Sequence, residues 1–315
     1  MSKKKVYLGI DTSNYTTSIA LCDENGNIVL NLKQLLDVKS GERGLRQSDA
    51  VFSHIKNFPQ LANNLNNALT DYEITSIGVS NKPRDVDGSY MPCFLSGIAV
   101  AEMLAATHNI PLYKFSHQAG HIMAALYSSN SINKLLNKSF VAFHVSGGTT
   151  EVLLVTRKNE TFDVQILCET EDISAGQAID RAGVMMGMKF PCGKEIEANA
   201  IKFNEKLPNP KICVKNGKCN LSGIENISTK LFNETHNVEY VSAYVLNFVS
   251  KTLVKITNDI RETYPDIPIV YAGGVMSNSI LQKELSKFAN TYFATPEFSS
   301  DNAAGIALLT KMTNQ

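Results

Sequence analysis

The sequence lacks net charge. Thirty Lys and Arg residues balance thirty Asp and Glu over 315 residues, so no global field draws the chain to nucleic acid or to an anionic membrane; RNA binding would need a local patch or a partner. It also lacks an apolar run of about 18 residues, the length needed to span a bilayer. The start, Met1-Ser2-Lys3-Lys4-Lys5, is basic, but an alternating strand pattern follows instead of the apolar core and small-residue cleavage site of a secretory leader. These absences predict a cytoplasmic protein with no membrane partner. The six cysteines, at 22, 93, 168, 192, 213 and 219, include no Cys-x-x-Cys pair, which disfavours a zinc ribbon or a disulfide framework and fits reduced thiols. No low-complexity stretch occurs.

What is present is an ordinary globular balance, 43% hydrophobic and 19% charged, long enough for two domains. Two stretches share one grammar. Val6 to Leu21 reads as apolar strand, hydroxyl-rich turn (Thr12, Ser13, Thr16, Thr17) and apolar strand. Val141 to Val155 reads the same way, with Ser146-Gly147-Gly148-Thr149-Thr150 as its turn. Adjacent glycines let backbone N–H groups approach an anion, and flanking hydroxyls add donors without bulk, so each turn is a candidate phosphate site. Taken alone, the second stretch is more simply a plain glycine hairpin.

Periodicity predicts a strand over 27–36 and a helix over 48–69 bent or interrupted at Pro59, then a strand over 74–80, a helix over 93–107, a strand over 111–115 and a helix over 117–127 capped by Ser116. The Ser/Asn-rich stretch 130–139 marks a boundary, giving lobes at 1–130 and 131–315. The second lobe continues with a strand over 162–170 and a helix over 175–186. A polar insertion at 189–238 precedes a long helix over 240–264 ended by Pro265. A strand then runs into Ala272-Gly273-Gly274-Val275, followed by a helix from 277 or 278 to 288, a strand over 292–294 and a last helix over 302–311. The order is that of two α/β lobes with mixed sheets.

The sharpest chemical signal is His117-Gln118-Ala119-Gly120-His121, because imidazoles four apart share a helical face and can hold one metal ion. Asp301, in Ser299-Ser300-Asp301-Asn302, is a candidate third ligand or a helix cap. Asp180, in a helix of small residues, is either a ribose acceptor or a surface carboxylate paired with Arg181 or Arg261. Pro191-Cys192-Gly193 and Glu197 follow it closely. Ala272-Gly273-Gly274, leading to Asn278, brings a strand into a helix through a backbone that a nucleotide could approach.

Taken jointly, Gly9-Ile10-Asp11-Thr12-Ser13, His117-x3-His121, Val145-Ser146-Gly147-Gly148-Thr149, Ala175-Gly176-x-Ala178-x-Asp180, Pro191-Cys192-Gly193, Leu221-Ser222-Gly223, Ala272-Gly273-Gly274-Val275 and Asp301-Asn302-Ala303-Ala304 resemble the TsaD-type transferases, the tRNA threonylcarbamoyladenosine enzymes. The resemblance implies an α/β, two-lobed actin-like ATPase (ribonuclease-H-like, ASKHA) fold with a nucleotide and one metal ion in its cleft. It implies iron or zinc held by His117, His121 and Asp301. It implies an adenine nucleotide, as threonylcarbamoyl adenylate or ATP/ADP, near His144, Val145, Ser146, Gly147 and Gly148, with Asp180, Gly193 and Glu197 around the ribose and Asn278 at the adenine. Thr12 and Ser13 stand at the possible phosphate turn of the first lobe. The implied reaction moves a threonylcarbamoyl group from its adenylate to the exocyclic amine of the tRNA adenosine 3′ of the anticodon, with TsaB-like or TsaE-like partner proteins.

Several positions depart from that pattern. The family's Thr-Ser-Cys-Asp-Glu-Thr is Thr12-Ser13-Asn14-Tyr15-Thr16-Thr17 here, its Gly-Gly-His-Thr is Gly147-Gly148-Thr149-Thr150, and its Gly-Pro-Gly-Leu loop is Lys82-Pro83-Arg84-Asp85. The family's Pro-Glu-x-Ala-Ser-Arg segment is echoed only at Leu45-Arg46-Gln47-Ser48-Asp49. The chain thus reads as a divergent paralogue. A non-catalytic or regulatory nucleotide- and metal-binding protein, or a carbamoyl transferase with another acceptor, is the alternative. An endopeptidase is disfavoured, because the two histidines lack the glutamate base of the helical protease motif.

Overall fold

The computed structural model describes residues 3–13, 15–36, 46–300 and 302–314. The chain divides into two compact units, the first comprising residues up to 127, 157–163 and those after 300, the second 128–156 and 164–300. The expected boundary at 130 differs from this by three residues. The larger difference is at the C-terminal end, whose last helix belongs to the first unit.

In unit 1, β1 (Lys4–Asp11), β2 (Thr16–Asp23) and β3 (Ile28–Leu35) form an antiparallel meander, followed by α1 (Gln47–Ala68), β4 (Tyr72–Lys82), α2 (Phe94–His108), β5 (Leu112–Ser116) and α3 (His117–Ser128). The sheet order is β3-β2-β1-β4-β5, with β4 parallel to both β1 and β5. Strand alternation assigns the two faces of β1. Val6, Leu8 and Ile10 join Leu61, Leu65, Ala101 and Ala105 of α1 and α2 in one core. The odd positions face the other way, where a Cβ on Gly9 would lie 2.5 Å from the backbone of Ala303 and Ala307. The helix occupying that face is the C-terminal one, Ala304–Thr313, and it also packs on α3, since a Cβ on Gly305 would lie 1.8 Å from the Gly120 carbonyl oxygen. Small residues on both helices permit this backbone approach. They are the physical reason the chain's end returns to the first sheet.

Unit 2 contains α4 (Ile132–Leu135), β6 (Phe140–Val145), most of β7 (Thr150–Lys158) and β8 (Thr161–Thr170), whose hairpin tip at 157–163 is counted with unit 1, α5 (Ala175–Met185), α6 (Gly193–Lys202), β9 (Cys213–Lys215), β10 (Lys218–Asn220), α7 (Gly223–Thr235), α8 (Val238–Thr263), β11 (Ile269–Ala272), α9 (Ser279–Leu285), β12 (Thr291–Phe293) and α10 (Pro296–Ser299); the C-terminal helix of unit 1 is then α11. Its sheet runs β12-β11-β6-β7-β8-β10-β9. Reading β6, β7, β8, β11 and β12 as first to fifth gives the 3-2-1-4-5 order of unit 1, with β10 and β9 added beyond the third strand. The repeated turn grammar thus marks a repeated topology.

The polar stretch 189–238 is structured, holding α6, a short hairpin and α7. α8 carries buried Val241, Val245, Phe248, Val249, Thr252, Ile256 and Ile260, a helical stripe at the centre of the second core. Asn237 caps its start by accepting from the Tyr240 N–H at 2.9 Å, and Arg261 in the last turn donates to carbonyls beyond its end, among them that of Pro265 at 3.0 Å. The expected helix from 277 or 278 to 288 is shorter, Ser279–Leu285, because Gly274–Ser277 forms a separate 3-10 turn. Among the described residues no helix is long and apolar enough to cross a membrane.

Candidate metal and nucleotide sites

In unit 1, β5 delivers the chain directly into α3. The Ser116 hydroxyl accepts from the Ala119 N–H at 3.1 Å and donates to Asp85 at 2.7 Å, fixing the first turn on which His117 stands. One turn later His121 faces it, with the two Nε2 atoms 2.9 Å apart and the rings nearly perpendicular at 77°. Nitrogen–metal bonds of about 2.0–2.1 Å place two imidazole nitrogens on one ion roughly 2.9–3.4 Å apart, so the pair fits a shared cation with little adjustment. Asp301 lies outside the described residues, and among the described residues no group of three His, Cys, Asp or Glu could hold a metal ion.

The other side of His117 meets a residue that the sequence did not single out. Its Nδ1 lies 3.1 Å from Oδ1 of Asp11, a fully buried carboxylate at the end of β1. Burial raises the Asp11 carboxyl, but the charge and hydrogen bond of His117 and the hydrogen bond from Ser13 outweigh it, and the net shift is downward. The available signal was a carboxylate closing an apolar strand on the face shared with Gly9; what it meets there depends on tertiary packing.

The first turn is tied inward. Thr12 Oγ1 donates to the Cys93 carbonyl and accepts from the Gly97 N–H, both at 3.1 Å, which fastens the turn to the start of α2. Ser13 Oγ donates to Asp11 Oδ2 at 2.5 Å. Behind them, Thr17 Oγ1 contacts His54 Nδ1 at 2.8 Å and accepts from Asn57 Nδ2 at 3.0 Å. Burial pushes the His54 imidazole down to about 4, against the opposing pull of Asp11.

In unit 2 the second turn is open. Gly147 and Gly148 are exposed, and a Cβ on either would meet nothing. Ser146 Oγ accepts from the N–H groups of Gly148 and Thr149 at 3.3 and 3.1 Å. The start of α5 butts against this turn. Ser174 donates to the Gly147 carbonyl at 2.7 Å while forming a reciprocal cap with Gln177, and the Gly176 N–H reaches the Ser146 carbonyl at 3.1 Å. Gly176 is required here, since a Cβ would lie 2.5 Å from Gly147 Cα. From the neighbouring parallel strand, Gly273 at φ +103° approaches Val145 so closely that a Cβ would lie 2.2 Å from its carbonyl oxygen. His144 Nδ1 lies 3.6 Å from the buried Glu151 carboxylate opposite it on β7.

The remaining predicted residues form links between helices. Asp180 Oδ1 accepts from the Cys192 N–H at 2.7 Å, fixing the loop that enters α6 at Gly193; burial raises its carboxyl. Neither arginine pairs with it in the way a plain surface carboxylate would. Arg181 bridges to Glu225 at 2.9 Å, and Arg261 serves the end of α8. Glu197 on α6 accepts from the Ser279 N–H at 2.7 Å and from its hydroxyl. The adjacent Asn278 is 7% exposed and caps α9 through the N–H groups of Ile280 and Leu281 at 3.0 and 3.2 Å. α5, α6 and α9 are therefore linked through the residues expected at a nucleotide. Asp172, which the sequence did not single out, accepts from Ile173, Leu221 and Ser222. These bonds outweigh the upward effect of burial and hold its carboxyl down at about 2.

Solved structures share this architecture at low identity. Component A of (R)-2-hydroxyglutaryl-CoA dehydratase from Acidaminococcus fermentans matches with a TM-score of 0.56 at 16% identity over 100% of both chains. A ROK family glucokinase from Streptomyces griseus, solved in complex with glucose and AMPPNP, matches with 0.53 at 9% identity over 98% of this chain and 99% of its own. The fold is the actin-like ATPase (ASKHA) fold. Curated relatives named tRNA N6-adenosine threonylcarbamoyltransferase include those of Ligilactobacillus salivarius, 28% identical over 96% of this chain and 90% of that protein, and Limosilactobacillus fermentum, 29% identical over 91% and 83%. The sequence model described as TsaD, tRNA N6-adenosine threonylcarbamoyltransferase, matches residues 33–308. With that match spanning most of both units, the chain belongs to the TsaD family.

Proposed function

We propose that the protein transfers a threonylcarbamoyl group from its adenylate to the N6 amine of a tRNA adenosine, using one divalent metal ion and an adenine nucleotide. The observation that carries this reading is the pair of His117 and His121 Nε2 atoms 2.9 Å apart in a chain of the TsaD family. His117, His121 and Asp301 would hold the ion, iron or zinc. When bound, it supplies Lewis-acid polarisation of the carbamoyl-phosphate anhydride. In unit 2, the exposed Ser146-Gly147-Gly148 turn offers backbone N–H groups to a phosphate, flanked by Val145 and the half-buried His144. Asp180, Gly193 and Glu197 take the ribose region and Asn278 the adenine. Thr12 and Ser13 stay committed to internal hydrogen bonds, so a phosphate at the first turn would rely on backbone donors. Attack by the N6 amine on the carbamoyl carbon forms the new C–N bond and breaks the bond from that carbon to the adenylate's phosphate oxygen, so that AMP leaves and one amine proton is given up to solvent. The work is done in the cytoplasm, with tRNA held through a local patch or through TsaB-like or TsaE-like partners.

A second reading, a nucleotide- and metal-binding paralogue that is regulatory or uses another acceptor, is favoured by one observation. Thr149 occupies the turn position where the family pattern has an imidazole, so the turn donates hydrogen bonds but moves no proton there. Supplying the purified chain with threonylcarbamoyl adenylate, unmodified tRNA and the partner proteins, and digesting the tRNA for mass spectrometry, distinguishes the two. Modified adenosine is expected; unmodified tRNA together with failure to complement loss of the family enzyme overturns transfer to tRNA.

A further inference from the structure

We propose that Asp11 is a positioning residue that selects the ring tautomer and orientation of His117, so that its Nε2 presents a lone pair to the cation it would share with His121. The inference rests on the metal reading above and deepens it.

The argument begins with alternation in β1. Asp11 shares the face of Gly9, the face covered by α11 and, through α11, by α3. Fully buried, its carboxylate has hydrogen-bonded partners for both oxygens: Oδ1 lies 3.1 Å from His117 Nδ1, and Oδ2 accepts from Ser13 Oγ at 2.5 Å. An ionised carboxylate only accepts, so the imidazole nitrogen facing it carries the proton. In a neutral imidazole that leaves the lone pair on Nε2, the atom 2.9 Å from His121 Nε2. The opposite tautomer of His117 would put a proton on Nε2. A protonated Nε2 has no lone pair to give, so that tautomer removes one ligand. Asp11 thus decides whether His117 Nε2 offers a lone pair on the side facing His121, as the outer partners of metal-bound histidines do generally. Ser13, by occupying the second oxygen, keeps the carboxylate from rotating away.

The test measures Co2+ and Zn2+ dissociation constants of the metal-stripped full-length protein, with the His117 ring followed by 15N NMR before metal is added. Asp11→Asn is nearly isosteric but can turn a donating NH2 towards Nδ1. It should weaken binding by about 10–100-fold and shift the ring signals from the Nδ1–H to the Nε2–H pattern. Ser13→Ala, a milder change, should weaken binding a few-fold with the fold intact by circular dichroism. Folded Asp11→Asn protein that binds within twofold of wild type overturns the inference while leaving the metal site standing. A wild-type ring already in the Nε2–H form overturns it as well, and decides the matter should Asp11→Asn fail to fold. If wild type binds neither ion, or His117→Ala binds as wild type does, the metal reading itself falls.

Discussion

The two hairpin turns occupy equivalent places in sheets of the same strand order, yet the chain uses them in opposite ways. Leading into the β1–β2 turn, Asp11, Thr12 and Ser13 are buried at 0–1% exposure, their polar atoms bound to the first unit's own groups. The β6–β7 turn leaves Gly147 and Gly148 bare to solvent, its one serine hydroxyl organising the loop's own N–H groups. One turn is an internal brace ending at an imidazole, the other a backbone surface able to take an anion. A shared topology therefore fixes where a turn lies. Whether its polar groups are available to a ligand depends on what packs behind it.

Swapping in a methyl group tests that contrast most severely. Gly9→Ala in the braced unit drives a Cβ into the backbone of Ala303 and Ala307 and should cost about 3–4 kcal/mol, read from urea unfolding. Gly148→Ala, entering open space, should cost under about 1 kcal/mol yet weaken adenine-nucleotide binding; equal destabilisation by both would erase the distinction. Next in size is a pH effect confined to the braced side. The His54 pKa of about 4 in the folded state lies below its ordinary 6.5, so between those values the unfolded chain binds the proton and the folded chain does not. Stability is complete above about pH 6.5 and should fall by about 3 kcal/mol as pH drops to 4. In His54→Gln this part of the acid dependence should vanish, and an unchanged slope would exclude His54 as its source. On the open side, Asp180→Ala should weaken nucleotide binding about tenfold, roughly 1.4 kcal/mol, by freeing the Cys192 loop, while metal content by elemental analysis stays constant; calorimetry giving equal affinity would reduce Asp180 to a structural link. Smallest is Ser174→Ala, which removes the cap joining α5 to the Gly147 carbonyl and should lower stability by about 1 kcal/mol, visible as a shift of the urea midpoint.

Much of the fold was legible because it rests on short-range pattern. Period-two alternation located both hairpins, and helical spacing with caps at Ser116 and Pro265 located α3 and the end of α8. The i,i+4 histidines came together as that spacing requires. What stayed hidden depends on partners distant in sequence. Nothing near Asp11 announces that its partner lies 106 positions away. The inward commitment of Thr12 depends on Cys93 and Gly97, and the link from Glu197 to Ser279 spans 82 positions. The return of α11 to the first sheet was missed for the same reason. Its alanines and glycine look like any small-residue helix until Gly9 and Gly120 are placed against them.

That return also sets a clock on synthesis. The helix that covers the Gly9 face of β1 is made about 290 residues after it. At roughly 5–20 residues per second, the ribosome needs on the order of 15–60 s to supply it. Throughout that interval the second unit, whose described elements lie between residues 128 and 300, can complete its own core, while the first waits with one side of its sheet bare. The unit begun first is therefore finished last, and its uncovered strand is the surface that a nascent-chain chaperone would have to shield.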